Sequence, residues 1–157
     1  MKRIIIGCMF TLLGICSMKA VLPEVTLQDM NGKNVSVSSL AQTGKPIIIS
    51  FFSTWCQPCM RELAALNEVY ADWHDETGVV IYIVSEDQGQ DVQKVKPLIN
   101  GNGWEFKVLL DPNNTLKRAM NVQNLPHLFV IDSKGNIVYQ HTKFVNGDEE
   151  EIRTYLQ

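Results

Sequence analysis

The sequence of 157 residues lacks a long hydrophobic run, an excess of basic residues and a second pair of closely spaced cysteines. Its longest apolar stretch, residues 4–16, has 13 residues, which is short of the roughly 20 that a membrane-spanning helix needs. With 14 basic and 17 acidic residues, the chain is poorly suited to binding the phosphate backbone of a nucleic acid. A structural zinc site usually takes four cysteine or histidine ligands, which one cysteine pair and three histidines without ligand spacing do not supply. We therefore expect no metal site, no cofactor and no nucleic-acid partner.

The first 20 residues differ in composition from the rest of the chain. Basic residues 2–3 precede the apolar run, and a short polar stretch ending at Ala20 follows it, an order typical of a secretory signal peptide. We expect cleavage after Ala20 and one mature domain over residues 21–157, which is long enough to build a core without disulfides. A lipoprotein signal, with Cys16 or Cys8 carrying the lipid, is the alternative and would anchor the protein to a membrane.

Removal of residues 1–20 changes both the cysteine count and the charge. Two of the four cysteines are lost, so that Cys56 and Cys59 remain. Three basic residues and no acidic residue are lost, so the formal charge falls from −3 to −6. Because disulfides persist outside the cytoplasm, we expect an extracytoplasmic, periplasmic protein that meets disulfide-containing proteins.

The segment Trp55-Cys56-Gln57-Pro58-Cys59 stands where a strand is followed by a helix. Residues 46–52 are apolar and rich in β-branched and aromatic side chains, which predicts a buried strand. After Pro58 apolar residues recur at spacings of three and four, which predicts a helix. The free N–H groups and the dipole of its first turn favour a thiolate at Cys56, and Cys59 follows one turn later on the same face. This spacing predicts a dithiol that cycles by thiol–disulfide exchange, with a static disulfide as the alternative.

The remaining pattern alternates strands and helices and shows no repeat or internal domain boundary. A strand over 79–84 completes a βαβ unit with parallel strands, and the dipeptide Asn31-Gly32 predicts a hairpin with a two-residue turn. The other expected elements are hairpin strands at 23–28 and 33–37, a helix at 90–100 ended by 101–103, a strand at 106–110, a helix at 114–120, hairpin strands at 127–131 and 137–141, and a helix at 149–156.

With these elements and motifs in place, the chain resembles the thioredoxin superfamily, and within it the secreted proteins of the TlpA/ResA type. The motifs are Trp55 to Cys59 with Glu62 three residues on, and Leu125-Pro126 followed by residues 129–132 and Gly135. The stretch 89–110 is similar to the insert of that subgroup. The resemblance implies an α/β thioredoxin fold: a central mixed β-sheet flanked by helices, with an N-terminal β-hairpin and a helix–strand insert.

The resemblance also implies roles for individual residues. Cys56 would be the exposed nucleophile with a lowered pKa, and Cys59 the buried thiol that resolves the mixed disulfide. A cis bond between Leu125 and Pro126 would turn the Leu125 backbone towards the sulfurs, where it pairs with an extended substrate. The expected substrate-binding residues are Trp55, Gln57, Pro58, Leu125 and Pro126. For Trp55, packing in the core is the alternative.

Glu62 and His127 are two further candidates for side chains near the cysteines. Glu62 borders the apolar stripe of its helix, so we expect a half-buried carboxylate with an elevated pKa that exchanges a proton with Cys59. Ser50 stands where cytoplasmic thioredoxins carry a buried aspartate, which favours Glu62 as the proton acceptor. Stabilisation of the helix dipole is the alternative role for Glu62. For His127 we expect a solvent-facing side chain, with a titrating group that tunes the site as the alternative.

The predicted function is an extracytoplasmic thiol–disulfide oxidoreductase that reduces protein disulfides. Gln57-Pro58 carries no cation to stabilise the reduced thiolate, which favours a potential in the reducing half of the known range. Members of the resembled group often reduce specific disulfides, including those of apocytochrome c, and a membrane thiol carrier would supply the electrons. The alternatives are a peroxiredoxin-like thiol peroxidase, because Ser53 stands three residues before Cys56, and a copper chaperone of the same fold. The spacing of two residues between the cysteines argues against the chaperone.

Overall fold

The computed structural model describes residues 22–157. The expected signal segment, including its lipoprotein alternative, lies outside the described residues. Across residues 22–157, the helices are all too short or too polar to cross a membrane.

One mixed sheet of seven strands organises the fold, as the resemblance predicts, in the order β2-β1-β5-β4-β3-β6-β7. Strand β3 pairs in parallel with β4 and antiparallel with β6, and β4 pairs in parallel with β5. The strands are β1 Thr26–Asp29, β2 Asn34–Ser36, β3 Ile47–Phe52, β4 Val80–Ser85, β5 Lys107–Leu110, β6 His127–Ile131 and β7 Ile137–Thr142. The helices are α1 Val37–Leu40, α2 Gln57–Thr77, α3 Val92–Asn102, α4 Thr115–Ala119 and α5 Asp148–Arg153, with a 3₁₀ turn at Gly89–Asp91 before α3.

Strand β3 is buried along its whole length, because helices cover both faces of the sheet and each face has its own apolar cluster. Ile48 and Phe52 pack on one face against the buried stripe of α2. Ile49 and Phe51 pack on the other face with residues of α1 and α4. A strand with both faces covered needs a continuous apolar run, and this makes β3 a rigid base for the cysteine segment that follows it.

Several predicted element boundaries differ from the structure. Helix α3 continues past Asn100 to Asn102 and ends at Gly103, whose φ of 65° suits the left-handed C-terminal position. It also passes through Pro97, where the carbonyl left without a donor belongs to exposed Gln93 and stays accessible to water. Helix α5 ends at Arg153 instead of Leu156.

The N-terminal hairpin has a three-residue loop, so the predicted two-residue Asn-Gly turn is wrong. The N–H of Asp29 donates to the carbonyl of Lys33 at 2.9 Å, which closes the loop around Met30, Asn31 and Gly32. Of these three loop residues, only Gly32 has a positive φ, 79°. A three-residue hairpin loop needs one such position at its end, whereas the two-residue Asn-Gly turn needs two.

Candidate active site

The two cysteines form a disulfide at the start of α2. Cys56 is the N-cap residue, Cys59 lies in the first turn, and their Cα atoms are 5.3 Å apart. The Cys59 N–H donates to the sulfur of Cys56 at 3.3 Å, so the expected hydrogen bond between a free helical amide and this sulfur is present. Pro58 occupies the first turn, where it removes no intrahelical hydrogen bond.

The disulfide is more deeply covered than the sequence predicts. Cys56 is 5% exposed and Cys59 is fully buried, so the prediction of an exposed Cys56 is wrong for this disulfide form. The sulfur of Cys56 lies over the first turn of α2, and that face of the turn packs into the core. Trp55, in contrast, is 69% exposed, which excludes core packing, and Gln57 is exposed beside it. Cys56 is therefore the more accessible of the two cysteines, and the exposed aromatic side chain of Trp55 lies next to it in the chain.

The bond between Leu125 and Pro126 is cis, as predicted. Pro126 leads into β6, whose first residue, His127, pairs with Phe51 near the end of β3. The loop from Leu125 and the cysteine segment therefore leave the sheet at the same edge. In the described part of the chain, the N–H and C=O of Leu125 have no hydrogen-bond partner, whereas the carbonyl of Pro126 accepts from Lys143 at 3.2 Å.

Glu62 is fully buried, so the expected half-buried position is wrong. It lies on α2 one turn beyond Cys59, where the helix packs on the sheet. One carboxylate oxygen accepts from the Ser50 hydroxyl at 2.6 Å, and the other lies 2.9 Å from Nε2 of His141. Ser50 and His141 are thus the two hydrogen-bond partners of this carboxylate among the described residues.

His141 is a site residue that sequence reasoning missed. It lies on β7, 79 residues from Glu62. Burial by itself would lower its pKa, but the hydrogen bond to Glu62 and the charges of Glu62, Asp148 and Glu151 outweigh burial and hold the pKa of His141 above its usual value. The only sequence signal was the period-two alternation of β7, which places residues 137, 139 and 141 on one face.

Asp87 is the second missed residue, and it holds the segment that precedes Cys56. Its buried carboxylate accepts from the N–H of Thr54 at 3.0 Å and from the hydroxyls of Thr54 and Ser85 at 2.7 and 2.8 Å. Asp87 lies two residues beyond the end of β4, and parallel strands bring their carboxyl ends to the same edge of a sheet. That rule was the available signal.

His127 is buried, so the prediction of a solvent-facing side chain is wrong. Its ring stacks on Phe129 with centroids 4.4 Å apart, and Nε2 lies 3.2 Å from Oε1 of Gln140. Burial lowers the pKa of His127. It shares the face of Phe51 and Phe129, opposite to the face that carries Glu62, and so does not contact the carboxylate.

Comparison with known proteins places these features among thiol-dependent proteins. The model of the AhpC/TSA family matches residues 18–140. The thiol-disulfide oxidoreductase ResA of Bacillus thuringiensis is 31% identical over 137 residues, which cover 86% of this chain and 74% of that protein. A thioredoxin-like protein of Porphyromonas gingivalis, solved in solution, is 53% identical with a TM-score of 0.76 over 88% of this chain and 93% of its own. A putative thiol:disulfide interchange protein DsbE of Chlorobium tepidum shares the fold at 24% identity, with a TM-score of 0.75 over 87% of this chain and 93% of its own.

Proposed function

Because this chain belongs to the AhpC/TSA family and has the thioredoxin fold, we propose that it is a thiol–disulfide oxidoreductase that reduces disulfides of other proteins. The predicted resemblance to proteins of the TlpA/ResA type is confirmed. One observation carries the proposal: the Cys56–Cys59 disulfide lies at the N-terminus of the long helix α2, and the backbone N–H of Cys59 donates to the sulfur of Cys56.

The reaction follows from the unequal environments of the two sulfurs. In the reduced protein the thiolate of Cys56, stabilised by the helix terminus, attacks a substrate disulfide, forms a mixed disulfide and releases the first substrate thiolate. Cys59 then loses its proton and attacks the sulfur of Cys56. This forms the Cys56–Cys59 bond, and the second substrate thiolate leaves. Cys59 is fully buried, so it is protected from external disulfides and reacts only with its neighbour.

The proposed substrate surface consists of Trp55, Gln57, Pro58, Leu125 and Pro126. The exposed indole of Trp55 offers an apolar contact next to the disulfide. The unpaired backbone groups of Leu125 can bind an extended segment as a short added strand. These two contacts require no particular substrate side chain. They therefore suit an enzyme that binds the extended segment around a disulfide and reduces that disulfide.

Glu62 is the proposed proton acceptor and donor for Cys59. Both side chains are fully buried, and they are i,i+3 neighbours on α2, a spacing that places side chains side by side. The thiol of Cys59 has no contact with bulk water through which to exchange its proton. A buried carboxylate on the next turn meets that need.

The proposed location is extracytoplasmic, and the proposed reductant is a membrane thiol carrier. Residues 1–20 support the location by their composition, and contact with the membrane itself arises only if the lipoprotein signal is used. The uncharged pair Gln57-Pro58 supports a potential nearer to about −270 mV than to about −120 mV. Equilibration with glutathione of known poise measures it, and a potential above that of glutaredoxins would contradict the direction.

Trapping of the mixed disulfide tests the proposed function. The Cys59→Ser variant should accumulate covalent adducts with disulfide proteins that dithiothreitol releases, because the resolving thiol is gone. The Cys56→Ser variant keeps one thiol and should form none. Insulin reduction should be lost in both variants. Adducts on Cys56→Ser, or insulin reduction that survives in either variant, would refute the assignment.

One observation favours a second function, thiol peroxidase. The hydroxyl of Ser53, three residues before Cys56, is buried and has no hydrogen-bond partner among the described residues, so it is free to contact a bound peroxide or a thiolate. Peroxide consumption in the absence of any disulfide substrate would favour this function, and loss of that activity in Ser53→Ala with disulfide reduction intact would separate the two.

A further inference from the structure

A continuous line of hydrogen bonds runs from the buried carboxylate of Glu62 to the protein surface. His141 lies 2.9 Å from Glu62 through Nε2, and its Nδ1 lies 3.2 Å from the hydroxyl of Tyr139. The same hydroxyl donates to the carboxylate of Glu151 at 3.2 Å, and Glu151 is exposed. The other partner of Glu62, Ser50, is fully buried. The line through His141 is thus the hydrogen-bonded exit from Glu62 within the described residues.

The directions of these bonds place a proton on each ring nitrogen of His141. A carboxylate only accepts, so the single proton of Tyr139 points to Glu151 and the Tyr139 oxygen accepts from Nδ1–H. At the other end Nε2–H donates to the carboxylate of Glu62. The raised pKa of His141 agrees with an imidazolium. The pKa of Tyr139, raised to about 12 by burial and by the nearby Glu151 and Asp148, keeps it a phenol at neutral pH.

Reduction of the disulfide places a negative charge where water does not reach. A donor thiolate that attacks Cys56 leaves the electron pair of the broken S–S bond on the sulfur of Cys59, which is fully buried. An unpaired buried anion is costly, so this sulfur needs a proton as it leaves. Glu62 is adjacent but has no solvent contact of its own, whereas the His141 side chain is 11% exposed.

We propose that His141 is the proton reservoir for the Cys59 thiol and acts through Glu62. His141 itself does not touch the reacting sulfurs and is a positioning residue. This inference rests on the proposed function. The donor thiolate forms a bond to Cys56 and the Cys56–Cys59 bond breaks. The carboxylate of Glu62 takes the Nε2 proton of His141 and passes a proton to the Cys59 sulfur. The imidazole becomes neutral and takes up a proton from solvent through its exposed edge. Resolution of a mixed disulfide runs these transfers in reverse.

The charges around His141 determine how this reservoir responds to pH. Glu62 faces it from α2, Asp148 and Glu151 face it from α5, and Tyr139 adjoins it on β7. On β6 the nearest titratable group is His127, which lies on the opposite face of the sheet. The acidic groups favour the imidazolium. His141 therefore carries the transferable proton below its raised pKa and loses it as the pH rises through that pKa.

The first test measures reduction of the Cys56–Cys59 disulfide by dithiothreitol between pH 5 and pH 9, followed by tryptophan fluorescence and divided by the dithiothreitol thiolate concentration. The wild-type rate should fall as the pH rises through the pKa of His141. His141→Gln keeps an N–H for Glu62 but cannot titrate. It should give a flat profile, with a rate at pH 6 about tenfold below that of the wild type, near the low end of general acid–base effects.

The matched control is His74→Gln, on the exposed side of α2, which should follow the wild type. A wild-type profile in His141→Gln overturns the proposal.

The second test needs no His141 variant, so it decides even if that variant does not fold. Correlation of ring ¹⁵N and ¹H signals in the oxidised wild type should show His141 protonated at both nitrogens at pH 7. Glu62→Gln should convert it to a neutral ring at that pH. A neutral His141 in the wild type at pH 7 overturns the proposal. Neither test uses a protein substrate. A failure to reduce insulin would therefore refute the proposed function, whereas the role of His141 is decided by these two tests alone.

Discussion

The backbone N–H of Thr54 and the carboxylate of Asp87 meet at 3.0 Å across 33 residues of sequence. This contact ties the segment that leads from β3 to Cys56 to the end of the neighbouring strand β4. The cysteine segment is therefore held from two sides: by the first turn of α2 at Cys56 and by a buried carboxylate at Thr54. These two anchors give the sulfur of Cys56 a defined position at the start of α2.

Replacing Asp87 with alanine should destabilise the protein. The change leaves the N–H of Thr54 and two hydroxyls without their acceptor in a buried place, and each unsatisfied group costs about 1–3 kcal/mol. We expect urea unfolding of the oxidised form to show a loss of about 3 kcal/mol. Asp87→Asn keeps one acceptor oxygen and should lose less. A loss within experimental error for Asp87→Ala would show that Asp87 does not anchor the segment.

Replacing Trp55 with alanine should weaken reduction of protein disulfides and leave folding unchanged. The indole is 69% exposed, so its removal opens no cavity, whereas a substrate would lose an aromatic contact next to the sulfur. We expect kcat/KM for insulin to fall about tenfold, equal to about 1.4 kcal/mol, with the dithiothreitol reaction unaffected. Val138→Ala, at another exposed apolar residue, serves as the control. Equal losses with insulin and with dithiothreitol would argue against a substrate contact.

Replacing His127 with glutamine should reduce the dependence of stability on acid pH. Burial lowers the pKa of His127 in the folded state, so the unfolded chain takes up this proton first as the pH falls. The corresponding stability is present above the unfolded value of about 6.5 and is lost as the pH drops towards the lowered value. The free energy of unfolding, from urea titrations at pH 7 and pH 5, should therefore drop less in the variant. An equal drop in both proteins would be the contrary result.

Replacing Pro97 with alanine should stabilise α3. Pro97 is the sixth residue of this helix and has no N–H for the carbonyl of Gln93. Alanine restores that bond, and we expect a gain of about 1–2 kcal/mol after the greater freedom of the unfolded chain is counted. Gln93→Ala, on the same exposed face, should change stability by less than about 0.5 kcal/mol. A destabilised Pro97→Ala would mean that the proline shapes the helix.

The parts of the site that lie within one segment were predictable, because local spacing decides them. Apolar residues over Ile47–Phe52 and the switch to helical spacing after Pro58 placed Cys56 at the head of α2. The cis bond before Pro126 followed from the resemblance and not from the residues alone. The two-residue Asn-Gly turn and the end of α3 were wrong, since the hydrogen bond from Asp29 to Lys33 decides the turn and the left-handed conformation of Gly103 decides the helix end.

The sequence by itself determined the α/β class, the strand-to-helix position of the cysteine pair and the proximity of Glu62 to Cys59, since all three depend on residues close together in the chain. Only the tertiary structure decided what surrounds them. His141 and Asp87 reach the site from β7 and from the end of β4, and their pairing with Glu62 and Thr54 depends on the order of strands in the sheet. Burial is a property of the assembled layers, and for that reason the burial of Glu62, His127 and Cys56 was not visible in their local patterns.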